Sequence, residues 1–311
     1  MQLINCPIHP TQPDPYIIKS GGKYYIYATG ADGVHGYSSD TLTGEWKYEG
    51  IILTYKEYKE YWAPSVIELE GKFYLYCSII IDEAEPDPAD HHHIMHVAVA
   101  DNPMGPFSEP KPILPPFSID PHVVQTEAGL FIYYSTNHYD VDRVGTCIVV
   151  DRLLDPFPPE GKPVTVVEPT LDEEIFLRDR FKEGQHWHTI EGAFYFTEGD
   201  WQYLMYSGNC YEKPTYYVGY ARAKTIEQDL TKVKFEKYPD ANTYLPVLCA
   251  NDFEEGTGHH SMIKEDGQWY AIYHGRDYGA EDSTGERRNA RICKINVCNG
   301  VLTAERYKDK L

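Results

Sequence analysis

Short hydrophobic runs that contain a tyrosine at a fixed place recur five times along this 311-residue chain. Each run mixes aromatic and aliphatic residues, follows a turn with Gly or Asp, and is followed within two residues by Ser, Thr or Gly. The five anchor tyrosines, spaced 49, 57, 73 and 67 residues apart, are Tyr27, Tyr76, Tyr133, Tyr206 and Tyr273. Aromatic-rich strands that repeat with this period are typical of propeller blades. We therefore predict an all-β fold, a five-bladed β-propeller.

The segments after each anchor tyrosine predict a third and a short outer strand in every blade. Residues 290–297 and 302–304 are expected to close the last blade, and the N-terminal strand is expected to complete it. Helical periodicity is almost absent, and only 171–182 is a candidate helix. Because no linker rich in Pro, Ser or Gly interrupts the chain, we predict one catalytic domain over 1–311.

Charged residues stand at the beginning of the predicted first strands. Asp14, Ala63, Asp120 and His260 each lie thirteen residues before an anchor tyrosine. In the fourth repeat Glu191 lies fifteen residues before it, so two extra residues are needed there. The first strands of a propeller line its central channel, and three carboxylates and one imidazole are therefore expected to meet there. This pattern predicts an active site at the central channel.

Composition excludes several classes of partner. The formal net charge of −20 argues against nucleic acid and anionic membranes, and no apolar run approaches the ~20 residues of a membrane helix. The 27 tyrosines suit half-buried strands and also stacking on sugar rings. Seven scattered cysteines do not indicate a disulfide framework, and no signal peptide is visible. We predict a cytoplasmic protein; nothing in the sequence indicates an oligomeric state.

Five motifs give the chain a family resemblance. They are Cys6-Pro-Ile-His-Pro-Thr-Gln-Pro-Asp14-Pro-Tyr, Tyr61-Trp-Ala-Pro-Ser-Val, Ser118-Ile-Asp-Pro-His, Thr189-Ile-Glu-Gly-Ala-Phe and Gly256-Thr-Gly-His-His-Ser. Together, in this order and over nearly the whole chain, they resemble family 43 glycoside hydrolases. The resemblance implies a five-bladed propeller that removes xylose or arabinofuranose with inversion. It also implies Asp14 as general base, Glu191 as general acid and Asp120 as the carboxylate that orients the acid and tunes its pKa. The sequence departs from the family pattern at Ala193, where proline is expected.

The chemistry of glycoside hydrolysis requires such a set independently. An inverting enzyme needs a base to activate water and an acid to protonate the leaving oxygen, with carboxyl groups about 6.5–9.5 Å apart. Asp14 and Glu191 lie on the first and fourth repeats, which suits a wide separation. Asp120 close to Glu191 would raise the pKa of the acid. Taken singly, each of these residues could equally belong to a strand-entry turn.

Four further residues are predicted to bind substrate. Trp62 resembles the sugar-stacking platform of the family, although it could instead pack in the core. His188 could line the sugar pocket or only pack. Arg276 and Arg288 resemble arginines of the last blade; one is expected to bind a sugar hydroxyl and the other to pair with acids, and Arg276 is the preferred sugar contact.

A metal site is the remaining candidate. His260 resembles the histidine that holds a central calcium ion in the family, directly or through water. Calcium prefers oxygen ligands, so the alternative is a core imidazole. No organic cofactor is expected. The run Asp90-His91-His92-His93 is predicted to be a solvated loop at the channel mouth rather than a metal site, with a substrate-binding role possible there.

The sequence thus predicts an exo-acting inverting glycosidase for short plant-derived oligosaccharides, a β-xylosidase or an α-L-arabinofuranosidase. The choice between xylose and arabinofuranose stays open, because it depends on loop shapes around the channel. Two alternatives are a carbohydrate-binding propeller without catalysis and an enzyme resembling a glycoside phosphorylase. A phosphorylase would need basic residues for phosphate near the base, and the channel motifs contain no such cluster.

Overall fold

The fold is all-β. A computed structural model of the chain describes residues 1–56, 58–80, 92–280 and 287–309. Its strands form five consecutive antiparallel units of four, which we call units one to five. Unit one contains β1 (Tyr16–Ser20), β2 (Lys23–Ala28), β3 (Val34–Ser39) and β4 (Lys47–Leu53); unit two contains β5 (Lys59–Leu69), β6 (Lys72–Ile80), β7 (Ile94–Ala100) and β8 (Lys111–Pro112).

The third and fourth units share one nine-stranded sheet. Unit three contains β9 (Ile119–Thr126), β10 (Gly129–His138), β11 (Gly145–Leu153) and β12 (Val164–Val167). The short strand β13 (Ile175–Leu177) pairs with the first strand of unit four, which contains β14 (Trp187–Glu198), β15 (Trp201–Gly208), β16 (Tyr217–Lys224) and β17 (Glu236–Lys237). Unit five contains β18 (Glu254–Glu265), β19 (Gln268–Asp277), β20 (Asn289–Cys298) and β21 (Val301–Glu305). A parallel pairing of β11 with β14 at Gly145 and His188 joins units three and four.

The anchor tyrosines pack between units. All five are buried, with at most 4% of the side chain exposed. The Tyr27 hydroxyl donates to the Pro103 carbonyl at 2.8 Å, and the Tyr76 hydroxyl to the Pro156 carbonyl at 2.6 Å. Each bond reaches from one unit into the next. Tyr27 and Tyr76 therefore tie consecutive units together through their hydroxyls.

Five buried hydrophobic clusters form the core, and each contains side chains from two units. Four of them join units one with two, two with three, three with four and four with five. The fifth joins unit five with unit one and includes Leu3 and Ile4 of the N-terminal segment. This segment pairs with β20, since the Leu3 amide donates to Ala290 and the Ile292 amide to Met1. The expected pairing of the N-terminus with the last sheet is confirmed.

One prediction about the fold needs correction. The candidate helix at 171–182 is wrong: only Asp172–Glu174 is helical, as one 3₁₀ turn, and β13 follows it at once. Glu174 is buried there and accepts hydrogen bonds from the amides of Thr170 and Leu171, which caps the beginning of the turn. None of the seven cysteines forms a disulfide, as expected. Within the described ranges no helix is long and apolar enough to cross a membrane.

Gly145 allows the close approach that joins units three and four. Its φ is +153°, and a Cβ at this position would lie 1.9 Å from the carbonyl oxygen of His188. We expect Gly145→Ala to cost about 3 kcal/mol in free energy of unfolding, because backbone atoms cannot move aside as a side chain can. Gly161→Ala is the matched control, since its φ is also positive but its Cβ would meet nothing. Urea unfolding that gave equal losses for the two variants would contradict this role.

Candidate active site

Apart from Glu60 and Gly256, each unit has one residue in the left-handed backbone region within its first strand or, in unit one, two residues before it. These residues are Asp14, Ala63, Asp120, Gly192 and His259, with φ between +43° and +62°. In units two to five the strand pairing also shifts register beside this residue. Four of the five are not glycine, and such conformations are costly for other residues and cluster at functional sites.

The predicted catalytic carboxyls line one pocket of about 600 Å³. Asp14, Asp120 and Glu191 lie in its wall together with Trp62 and Arg288. The remaining lining residues are His9, Thr11, Pro13, Thr29, Gly30, Ala31, Asp32, His35, Glu60, Ile119, Tyr211, Tyr216 and His259. The structure therefore brings five of the eight predicted site residues together, one from each of the five units.

Asp14 is buried and held by partners from units one and five. The Thr29 hydroxyl donates to Asp14 Oδ2 at 2.6 Å. Three nitrogens approach Asp14 Oδ1: His274 Nδ1 at 3.1 Å, Arg288 Nη1 at 3.3 Å and His259 Nδ1 at 3.4 Å. Both carboxylate oxygens are therefore satisfied by hydrogen-bond donors or by a cation.

These partners keep Asp14 ionised. Burial acts to raise its pKa, but the neighbouring His259 and Arg288 and the hydrogen bond from His274 lower the pKa well below its usual range. Burial also lowers the pKa of His259, and that of His274 to about 4, so both rings are neutral near pH 7. The charge that balances Asp14 at neutral pH is therefore that of Arg288. An ionised, oriented carboxylate is suited to act as a general base.

Asp120 and Glu191, the other two carboxyl groups of the pocket, form a pair. Asp120 Oδ2 accepts the Gly192 amide at 3.1 Å and the Ser135 hydroxyl at 3.2 Å. The Tyr216 hydroxyl donates to Glu191 Oε1 at 2.7 Å. Because Gly192 follows Glu191 directly, the bond from its amide to Asp120 fixes the backbone that carries Glu191.

The pair holds a proton near neutral pH. Burial, followed by the charges of Glu191 and Asp14, raises the pKa of Asp120. Burial and the charge of Asp14 raise the pKa of Glu191 to about 7, although the bond from Tyr216 acts in the opposite direction. The two carboxyls share this proton, and the two hydrogen bonds that Asp120 Oδ2 accepts favour its ionised form while Glu191 holds the proton. Glu191 is then a carboxylic acid able to donate its proton.

Trp62 stands at the side of the pocket. Its ring stacks on His93, with centroids 3.6 Å apart and planes inclined by 25°. Its Nε1–H donates to Glu60 at 3.1 Å, so both edge and face of the indole are held. Contrary to the prediction of a solvated loop, His93 is fully buried, whereas His92 is exposed. Asp90 and His91 lie outside the described residues.

The two arginines occupy different places. Arg288 lines the pocket next to Asp14, and its guanidinium lies 4.3 Å from the centroid of the Tyr211 ring. Arg276 lies outside this pocket, buried, where its Nε–H donates to Glu255 at 3.1 Å and its Nη2 to the Glu212 carbonyl at 2.8 Å. The structure therefore gives the sugar contact expected of Arg276 no support, and places Arg288 where such a contact is possible.

His188 lies outside this pocket as well. It borders a separate cavity between the β10–β11 connection and the segment before β14. Its Nε2 is 2.9 Å from Arg143 Nη1, and Arg143 also pairs with Asp172 at 2.8 Å. The structure thus favours the packing alternative for His188.

His259, rather than His260, faces the pocket. His260 is 3% exposed, and neither of its ring nitrogens has a hydrogen-bond partner in the part of the chain that the structure describes. Burial lowers its pKa to about 3, so the ring is neutral. Its unprotonated nitrogen can coordinate a metal ion or accept a hydrogen bond from water. Among the described residues, no group of three or more His, Cys, Asp or Glu side chains could hold a metal ion. His260 alone therefore supplies one nitrogen ligand, and oxygen ligands would have to be water.

Sequence reasoning missed Tyr216, His274, Thr29 and Ser135 as partners of the carboxyls. Three of these had a signal, because Thr29, Ser135 and His274 end the repeated phrase one or two residues after its tyrosine. Ser135 and His274 lie in the second strand of their units, and Thr29 directly follows the second strand of unit one. Tyr216 precedes β16 and belongs to no repeat motif, so only the structure identifies it.

An all-β fold with an ionised carboxylate, a proton-bearing carboxyl pair and an indole in one pocket is typical of carbohydrate-active hydrolases. The family model for glycosyl hydrolases family 43 matches residues 4–302. This chain belongs to that family, and it is a glycoside hydrolase.

Relatives agree with this assignment. The chain is 27% identical to the xylosidase/arabinosidase 43A of Humicola insolens, over 86% of this chain and 82% of that protein. It is 24% identical to a xylosidase/arabinosidase of Bacteroides ovatus, over 96% and 95%. The crystal structure of a thermostable family-43 glycoside hydrolase superposes with a TM-score of 0.79 at 27% identity, covering 96% of this chain and 94% of that one.

The raised pKa of Glu191 predicts a pH-dependent loss of stability. A carboxyl whose pKa rises from 4.5 to about 7 on folding stabilises the fold below pH 4.5, and this contribution disappears as the pH rises to 7. Glu191→Gln has no such charge. The free energy of unfolding of Glu191→Gln minus that of the wild type should therefore increase by about 3 kcal/mol as the pH rises from 4.5 to 8. Urea titrations at several pH values measure this, with exposed Glu183→Gln as control. Parallel pH profiles for wild type and Glu191→Gln would contradict the assignment.

Proposed function

We propose that this protein is an inverting, exo-acting glycosidase that releases xylose or arabinofuranose from the end of short plant-derived oligosaccharides. The observation that supports this most is the opposite protonation of Asp14 and Glu191 in one pocket. The low pKa of Asp14 provides a base, and the raised pKa of Glu191 provides an acid at the same pH. Residues whose environments separate their pKa values in this way divide acid and base roles.

In the proposed reaction Asp14 accepts a proton from a water molecule, which attacks the anomeric carbon. Glu191 donates its proton to the glycosidic oxygen as the bond to the leaving group breaks. Attack opposite to the leaving group inverts the anomeric configuration. Asp120 keeps Glu191 protonated before the reaction and, through the Gly192 amide, keeps it in place. Trp62 and Arg288 are assigned to the sugar, as a stacking surface and a hydroxyl partner.

The names of relatives support a pentose substrate. The proteins of Humicola insolens and Bacteroides ovatus are both called xylosidase/arabinosidase. A shorter match, 37% identical over 81 residues, is to a probable arabinan endo-1,5-alpha-L-arabinosidase of Aspergillus clavatus. We propose exo action because the carboxyls are buried at a pocket of about 600 Å³, which suits the end of a small oligosaccharide. Action on imported oligosaccharides fits the proposed cytoplasmic location.

We also propose that the five units are the blades of one closed propeller and one domain. Support comes from the clusters between consecutive units, of which the last joins unit five to unit one. The first strands contact each other in the same cyclic order, β1 with β5, β5 with β9, β9 with β14, β14 with β18 and β18 with β1. In such an arrangement the left-handed residues would surround one axis.

A phosphorylase remains less well supported than a hydrolase. Phosphate as the attacking group would need several basic side chains near the base. Among the described residues of the pocket, Arg288 is the only Lys or Arg, and Asp14 already pairs with it. Water is the nucleophile that this pocket favours.

Hydrolysis of two aryl glycosides tests the proposal. We expect the wild type to hydrolyse an aryl β-D-xyloside, an aryl α-L-arabinofuranoside or both, and Asp14→Asn to lose about a thousandfold or more in kcat/KM. The exposed Asp101→Asn is the control for loss of one carboxylate. An Asp14→Asn variant with the circular dichroism and the activity of the wild type would contradict the role of Asp14. A wild type that released neither sugar would leave the binding-only alternative.

Calcium is proposed at His260, held by that imidazole and by water. The buried ring nitrogens without a partner are the observation that fits a ligand there. We expect a chelator to lower the melting temperature of the wild type by several degrees and to leave that of His260→Gln unchanged. Readdition of Ca²⁺ alone should restore the wild-type value. Equal melting temperatures of the wild type with chelator and with Ca²⁺ would contradict a stabilising calcium ion.

A further inference from the structure

The proposed acid and base are linked by two stacked rings. The Tyr216 hydroxyl donates to Glu191 at 2.7 Å, and His274 Nδ1 lies 3.1 Å from Asp14 Oδ1. The Tyr216 and His274 rings are nearly parallel, inclined by 9° with centroids 5.5 Å apart. A continuous path of contacts therefore runs from one carboxyl group through both rings to the other.

The two rings have little room to move. Both residues are fully buried. Gly258 pairs with His274 across β18 and β19, and a Cβ on Gly258 would lie 2.0 Å from Cε1 of Tyr216. Only glycine allows the Tyr216 ring to approach this strand so closely. The stack also crosses a unit boundary, since Tyr216 precedes β16 of unit four and His274 belongs to β19 of unit five.

We propose that the Tyr216–His274 stack is a spacer that fixes the distance and orientation between the acid Glu191 and the base Asp14. This inference rests on the proposed function. Inversion requires a water molecule and a glycosidic bond to fit between the two carboxyls, so their separation must be held within narrow limits. Small errors in the position of reacting groups cost large factors in rate. Two packed rings are stiffer than any single flexible side chain in this place.

Tyr216 also has a role in proton transfer. Its hydroxyl donates to Glu191 and so favours the carboxylate that remains after the acid has given up its proton. Five titratable or charged groups influence Glu191: Asp120, Asp14, Arg288, Tyr216 and Cys210. Of these, Tyr216 donates a hydrogen bond to Glu191, and a substitution by phenylalanine removes this bond without changing a charge.

The first test is the pH dependence of kcat/KM for Tyr216→Phe. Phenylalanine keeps the ring and the stack but removes the bond to Glu191, so the pKa of the acid should rise. We expect the alkaline limb of the profile to move upward by about 0.5–1 pH unit. Tyr217→Phe is the matched control, because its hydroxyl is also buried but donates to Glu174, outside the pocket. An alkaline limb unchanged in Tyr216→Phe would overturn the acid contact.

The second test separates the stack from the hydrogen bond. Tyr216→Leu and Gly258→Ala both displace or remove the ring, and we expect each to lower kcat by about a hundredfold, against less than tenfold for Tyr216→Phe. In a double-mutant cycle, Tyr216→Leu and His274→Leu should be non-additive, because either one removes the spacer. Additive losses, or equal kcat for Tyr216→Leu and Tyr216→Phe, would overturn the spacer. Circular dichroism identifies variants that do not fold, and the Tyr216→Phe result stands without them.

A readout without substrate separates this inference from the proposed function. Carbon-13 NMR titration of the glutamate carboxyls, with Glu191 assigned from Glu191→Gln, gives the pKa of Glu191 directly. The pKa should be higher in Tyr216→Phe than in the wild type and the same in Tyr217→Phe. If the wild type hydrolyses no pentoside but this shift occurs, the proposed function fails and the acid contact stands. If pentosides are hydrolysed and the pKa does not shift, the contact fails alone.

Discussion

The site depends on the balance of charge among three buried carboxyl groups and one arginine. Asp14, Asp120 and Glu191 share a pocket in which Arg288 is the only described guanidinium or ammonium group. A single cation can compensate a single carboxylate, and it lies against Asp14. Among the described residues Asp120 and Glu191 have no such cation, and together they carry less negative charge because one proton stays on the pair. Burial alone would neutralise all three, so the position of Arg288 decides which carboxyl is the base.

The scaffold supplies the geometry that this balance requires. A left-handed residue lies within the first strand of units two to five and two residues before β1, and a register shift accompanies it in units two to five. These shifts turn the first residues of the strand away from the regular pleat and toward the pocket. Thr29, directly after β2, and Ser135, in β10, then donate hydrogen bonds to Asp14 and Asp120. The same backbone irregularity thus positions different side chains in different units.

Sequence reasoning predicted the all-β fold. It brought Asp14, Asp120 and Glu191 together because the tyrosine repeat sets the register of the first strands, and it added Trp62 and Arg288 from the family resemblance. It failed where that register slips. Two irregularities in β18 place His259 at the pocket and His260 behind it. The preference for Arg276 over Arg288 came from motif resemblance, which does not reveal that the buried Glu255 engages Arg276. Tyr216 lies outside every repeat and approaches Glu191 only through packing on Gly258.

The stereochemistry of hydrolysis tests the central claim most directly, because it reports which group attacks the sugar. Proton NMR during the first minutes of hydrolysis of an aryl β-D-xyloside, or of an α-L-arabinofuranoside if that is the substrate, identifies the anomer released before mutarotation. If Asp14 activates water across the pocket from Glu191, the first product has the inverted configuration: α-xylose or β-arabinofuranose. A first product with the configuration of the substrate would mean a covalent intermediate, and would contradict the roles assigned to both carboxyls.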